Sequence, residues 1–165
     1  MNEPLFYKQW GLNNTAHWSG AVVGADVQAL DAWDITTGSA SIIVAILDTG
    51  TNLNDPDIDD NLWVNTDEIA GNGIDDDGNG YIDDFIGWDS SGYSGSEDNN
   101  PSPPSGVNNG GTWAHGTHVA GLLSARTNNS LGVASVAFNS KIMCVKVSTD
   151  EQSYPYITHG YDGIL

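Results

Sequence analysis

The sequence predicts an α/β fold built on a doubly wound, mostly parallel sheet, and three stretches carry that prediction. Residues 41–47, SIIVAIL, form a nearly unbroken apolar run, and residues 141–147, KIMCVKV, form a second. Between them HGTHVAGLL, starting at His115, sets Val119, Leu122 and Leu123 to turn inward from a helix. Apolar runs of this kind suit parallel strands buried on both faces. Strand, helix and strand in that order open a doubly wound sheet.

Each element follows from local pattern. ADVQALDAW, 25–33, places Val27, Leu30 and Trp33 on one face, with Gly38 soon after as a stop, and predicts a short amphipathic helix. The first strand ends at Asp48, where open α/β sheets gather their ligands. From Thr51 to Trp113 the composition turns to Asp, Asn, Gly, Ser and Pro, including SSGYSGSEDNNPSPPSGVNNGG at 90–111. That reads as a long loop region, and a loop of such length needs either disorder or an ion to organise it. At the far end YPYITHGYDGIL, 154–165, sets Ile157, Tyr161, Ile164 and Leu165 at helical spacing, and predicts an interrupted helix. No internal repeat is present.

Composition narrows the function classes. A hydrophobic content of 39% with six Trp, six Tyr and three Phe is that of a globular domain. Acidic residues number 22 against Lys8, Arg126, Lys141 and Lys146, a formal net charge of -18 that argues against nucleic acid as a partner. Fifteen of the 22 lie between Asp48 and Asp98, a stretch without Lys or Arg, and carboxylates interleaved with Asn and Gly are what a hard divalent cation requires. Cys144 is the single cysteine, so no intrachain disulfide forms, and its apolar run predicts a buried thiol. No stretch is long enough to span a membrane. MNEPLFYKQWGL carries no basic segment followed by an apolar core, so a secretion signal or pro-segment is expected outside these residues.

Within the acidic stretch GIDDDGNGYIDD holds Asp75, Asp77, Asn79, Gly80 and Asp83 in the spacing D-x-D-x-N-G-x-x-D, with the Tyr81 carbonyl at the seventh place. This is the spacing of a calcium loop, with glycine where such loops turn sharply. It departs from an EF-hand: position twelve is Ile86 in place of a bidentate glutamate, and Glu68 or Asp84 is left to complete the shell.

The chemistry-bearing pair is Asp48, in DTG at 48–50, and His115, 67 positions later at the start of a helix of small residues. A carboxylate that orients an imidazole base for nucleophilic attack uses these residue types. His115 and His118, at i and i+3, would also offer zinc two imidazoles with Asp48 as a third ligand, but the HExxH arrangement is absent and Gly116 stands where its glutamate would be.

DTG, HGTHVAG at 115–121 and NNSLGV at 128–133, in that order, resemble the subtilisin-like serine peptidases, the subtilases. The resemblance implies a subtilisin-type sheet, here incomplete, with residues 1–165 as the N-terminal portion of a catalytic domain. It implies an Asp-His-Ser triad in which Asp48 orients His115 and His115 moves the proton. No Gly-Thr-Ser-Met-Ala or Gly-x-Ser-x-Gly segment occurs in these residues, so the nucleophile is expected downstream and the chain is expected inactive alone. A second calcium site is also implied, held by Glu3, Asp57 and Asn129 with the backbone carbonyls of Thr127, Leu131 and Val133. The implied partner is a protein or peptide substrate, the implied cofactor calcium and the implied location extracellular. A non-catalytic calcium-binding module derived from a subtilase is the alternative, and oligomeric state is left open.

Overall fold

The computed structural model describes residues 1–107, 111–151 and 154–164. Four strands form one sheet in the order β1-β4-β2-β3: β1 Ile43–Asp48, β2 Gly87–Tyr93, β3 Ser96–Asp98 and β4 Lys141–Lys146. β1 and β2 both run parallel to β4, and β3 returns antiparallel along β2. The α/β class and the mostly parallel sheet are those the sequence predicts. Two α-helices are present among the described residues, α1 Ala29–Trp33 and α2 His115–Ser124.

α2 packs on one face of the sheet, where Ile46, Ile58, Leu62, Ala120, Ala125, Ile142 and Cys144 form the principal core, edged by Val119 and Leu123. Leu122 departs from expectation and faces outward, because Ala120 and Ser124 take the contact positions of this helix. β1 is not buried on both faces as predicted: Ile46 and Asp48 are buried while Ile43 and Ala45 are exposed, since among the described residues only one face of the sheet carries a helix.

Three further differences have local causes. The predicted 25–33 helix shortens to Ala29–Trp33, because Gln28 adopts a left-handed backbone (φ 56°) with its amide bonded to the Asp26 carboxylate, 2.8 Å. Val27 and Leu30 are therefore exposed, and Ala29 takes the core position. The stretch read as loop contains β2 and β3. GWDSSGY offers no apolar alternation, and its buried positions are Gly87, Asp89, Ser90, Ser91 and Gly92. Near the C-terminus a 3-10 turn, Asp162–Ile164, stands where the helix is predicted, and Ile157, Tyr161 and Ile164 are exposed; Leu165 lies outside the described residues. No helix among the described residues is long and apolar enough to cross a membrane.

Candidate active site

Asp48 ends β1 and His115 begins α2, so the sheet's carboxyl edge and a helix N-terminus bring them together. His115 Nδ1 lies 2.8 Å from both Oδ1 and Oδ2 of Asp48, and the Thr49 amide donates to Asp48 Oδ1 at 2.7 Å. Asp48 is buried, whereas the imidazole is 65% exposed and so offers its other nitrogen to solvent. The partial positive charge of the α2 N-terminus favours a carboxylate at this point.

The residues around His115 explain how closely helix and strand approach. A Cβ on Gly116 would fall 2.3 Å from the Gly50 carbonyl oxygen and 3.2 Å from Asp48 Cβ, so only glycine admits α2 this near β1. The Gly116 amide donates to Thr49 Oγ1 at 3.2 Å, and Thr117 Oγ1 accepts the Asn52 amide at 2.9 Å. Gly50, at φ 100°, has the backbone of 101–103 lying across it, which closes the turn after Asp48. A cleft of about 570 Å³ opens above the pair, walled by Gly111, Thr112, His118, Pro155 and Ile157.

The loop expected to bind calcium is assembled differently from its spacing. Asp83 turns its carboxylate to the amides of Gly71, Asn72 and Gly73, at 2.7 to 3.0 Å, and Asp75 takes those of Gly78, Asn79 and Gly80. Asn79 spends its side-chain oxygen on the Tyr81 amide, 2.8 Å, while its nitrogen bridges Asp77 and Asp84. Glu68, Asp77 and Asp84 are the residues that converge, each with an oxygen within 4.8 Å of the others. Among the described residues this is the one grouping of three or more His, Cys, Asp or Glu whose ligand atoms converge in this way; His115, His118 and Asp48 are not brought together so. Glu68 Oε1 accepts the Asp76 and Asp77 amides, while its buried Oε2 has no hydrogen-bond partner among the described residues.

The other expected ligands lie along the 127–133 loop. Glu3 is buried and accepts the Asn128 amide, and its Oε2 likewise lacks a partner among the described residues. Asp57 receives the Asn129 side-chain amide (2.8 Å) and the Val133 amide (2.9 Å), and the Leu5 amide reaches the Gly132 carbonyl at 3.2 Å. The N-terminal segment, the loop after β1 and the 127–133 loop after α2 are thus drawn to one place. Asn129 Oδ1 accepts the Leu131 amide at 2.9 Å. The carbonyls of Thr127, Leu131 and Val133 accept no backbone hydrogen bond from the described residues.

Comparison with known proteins gives the family. The profile of the Subtilase family matches residues 39–162. The chain belongs to the subtilase family. It is 38% identical over 133 residues to "Subtilisin-like protease 1" of Plasmodium berghei (strain Anka), covering 78% of this chain and 20% of that protein. It is 33% identical over 153 residues to "Extracellular basic protease" of Dichelobacter nodosus, covering 88% of this chain and 22% of that one. A solved structure of proteases from Pseudoalteromonas arctica aligns with a TM-score of 0.63 at 29% identity, over 99% of this chain and 42% of that chain. The chain spans about a fifth of the length of these two sequence relatives. Sequence pattern marks Asp48 and His115 in this subtilase chain; it misses the buried Lys146 and its partners Asp89 and Asp150, because KIMCVKV reads only as a strand.

Proposed function

We propose that this chain is the aspartate–histidine portion of the catalytic domain of a secreted, calcium-stabilised serine endopeptidase acting on polypeptides. The observation that carries the reading is the 2.8 Å contact of His115 Nδ1 with the Asp48 carboxylate beneath an open cleft. With Nδ1–H donated to Asp48, His115 Nε2 is left unprotonated as a base toward the cleft. It takes the proton of a serine hydroxyl contributed by the rest of the domain, and Asp48 stabilises the resulting imidazolium. His115 then returns that proton to the leaving amine.

Calcium fits two places, and the support is chemical. Glu3 and Glu68 each hold a buried carboxylate oxygen without a partner among the described residues, and an anionic oxygen so placed calls for a cation. Glu3, Asp57 and Asn129 with the carbonyls of Thr127, Leu131 and Val133 would hold one ion. Glu68, Asp77 and Asp84 would hold the other, with Asp75, Asn79 and Asp83 shaping the loop and the Tyr81 carbonyl available as a further oxygen. Secretion is supported by the likeness to the extracellular basic protease of Dichelobacter nodosus.

The test is hydrolysis of casein or a chromogenic peptide by the full-length protein that carries these residues. Asp48→Asn and His115→Ala are expected to lower kcat by about four to six orders of magnitude, the range that removal of the same triad members produces in chymotrypsin-type enzymes and in subtilisin. Residues 1–165 alone are expected to cleave nothing. Full-length activity untouched by either substitution would overturn the reading, and an inactive full-length protein that still binds calcium would favour a non-catalytic module.

A further inference from the structure

The assigned chemistry leaves one buried ionic group unused. Lys146, the last residue of β4, is fully buried, and its Nζ lies 2.5 Å from Asp89 Oδ2 and 2.6 Å from Asp150 Oδ1. Asp89, at 1% exposure, fills its remaining oxygen with the amides of Ser91 and Gly92 and the Ser91 hydroxyl, at 2.9 to 3.0 Å. A buried ion pair is a poor device for stability alone, because desolvation offsets most of the attraction. What this pair does have is position.

Across the carboxyl edge of the sheet Asp48, Lys146 and Asp89 stand in one register row. The next residue, Val147, donates its amide to the Asp48 carbonyl at 2.9 Å, and its own carbonyl accepts the amides of Thr158 and His159 at 3.0 and 3.3 Å. The chain therefore leaves β4 beside Asp48 and comes back to the same residue eleven positions on, after supplying Pro155 and Ile157 to the cleft above His115. Lys146 holds the outgoing limb through Asp150, whose amide also donates to the Gly92 carbonyl at 3.2 Å. Glu151 accepts the Ser94 hydroxyl at 2.8 Å, tying the same limb to the β2–β3 turn.

We infer that Lys146, Asp89 and Asp150 are positioning residues: the buried ammonium fixes the cleft wall that carries Pro155 and Ile157 at a set distance from the Asp48–His115 pair, and thereby governs how a polypeptide substrate is held. None of the three touches the imidazole. Asp89 anchors the ammonium from β2, and Asp150 passes its position to the wall. The inference rests on the peptidase reading for the identity of what the cleft holds, and on geometry alone for the latch.

The decisive variant is Asp150→Asn, which keeps side-chain shape and leaves the Lys146–Asp89 pair intact. In the full-length protein, amide exchange at 154–159 is expected to quicken about tenfold while β1, β4 and α2 keep their protection. KM for a peptide substrate is expected to rise several-fold with kcat within about twofold, since positioning and not the proton transfer is lost. Asp150→Glu is expected to restore both. Unchanged exchange at 154–159, or a fall in kcat at constant KM, would overturn the inference. Absence of cleavage by the unsubstituted protein would sink the peptidase reading instead, and the exchange measurement would then decide the latch by itself.

Discussion

Cys144 shows how far one residue's surroundings set its chemistry. It sits mid-strand in β4 within the principal core, and burial pushes its thiol from 9.0 up to about 11, against a smaller opposing hydrogen bond with Thr51. The raised value means that the folded protein holds the proton more tightly than the unfolded chain. The associated stability is fully present below pH 9 and is lost as pH climbs toward 11, by about 3 kcal/mol over the two units. Native protein at pH 8 is accordingly expected to resist a thiol reagent such as Ellman's, with full reaction after denaturation. Rapid stoichiometric labelling of the native state would contradict this. The same scale explains what was legible in the site. The pairing of Asp48 with His115 could be read directly, because the chemistry the pattern points to admits few other residue types and HGTHVAG holds the histidine in a specific string. Lys146 could not, because a lysine ending an apolar strand looks like a solvated terminus until Asp89 and Asp150 are placed around it.

Elements were legible in proportion to their apolar content. β1, β4 and α2 form where their apolar pattern marks them, although in α2 Val119 and Leu123 only edge the core while Leu122 and the outer face of β1 are exposed. β2 was hidden because its buried positions are serines, glycines and Asp89, satisfied by partners that only the tertiary structure supplies; Ser90 Oγ, for instance, donates to the Lys146 carbonyl at 3.1 Å. The acidic loop was legible as a place where carboxylates gather, but its spacing does not tell which of them converge. That depends on the fold that places Asn65 between Asp77 and Asp84, with its amide nitrogen 3.0 and 2.8 Å from them. Trp63, Tyr81 and Trp88 line the same cavity as Asp77 and Asp84, which supplies a direct readout. Terbium added to the protein is expected to give aromatic-sensitised luminescence that calcium competes away. Glu68→Gln is expected to weaken that signal at least about tenfold, since it removes the charge of the buried oxygen. Glu3→Gln, at the other candidate site, is expected to leave it intact. Equal luminescence in Glu68→Gln and unsubstituted protein would remove Glu68 from the ligand set.

At the scale of the whole molecule two features act against compactness: a net charge of -18, and a sheet packed by helix on one side only among the described residues. On the face away from α2, cover comes from the Asp162–Ile164 turn, whose Gly163 lies so close that a Cβ there would meet Val147, Val145 and Leu47 at 2.8 to 3.3 Å. Ile43 beyond it is about half exposed. Apolar surface of that kind on a sheet invites association, and self-repulsion among clustered carboxylates loosens the loops that hold them. Cations oppose the second effect by mass action. An ion at a hundred times its Kd adds about 2.7 kcal/mol to the folded state. Residues 1–165 produced alone in EGTA are therefore expected to bind a hydrophobic dye and to melt over a broad range. Millimolar calcium is expected to raise Tm by several degrees without abolishing dye binding, because an ion held by the acidic loops would leave the bare face uncovered. A sharp, calcium-independent transition of a monomer that binds no dye would mean that the face is covered from within this chain, and the role given to the acidic loops would fail with it.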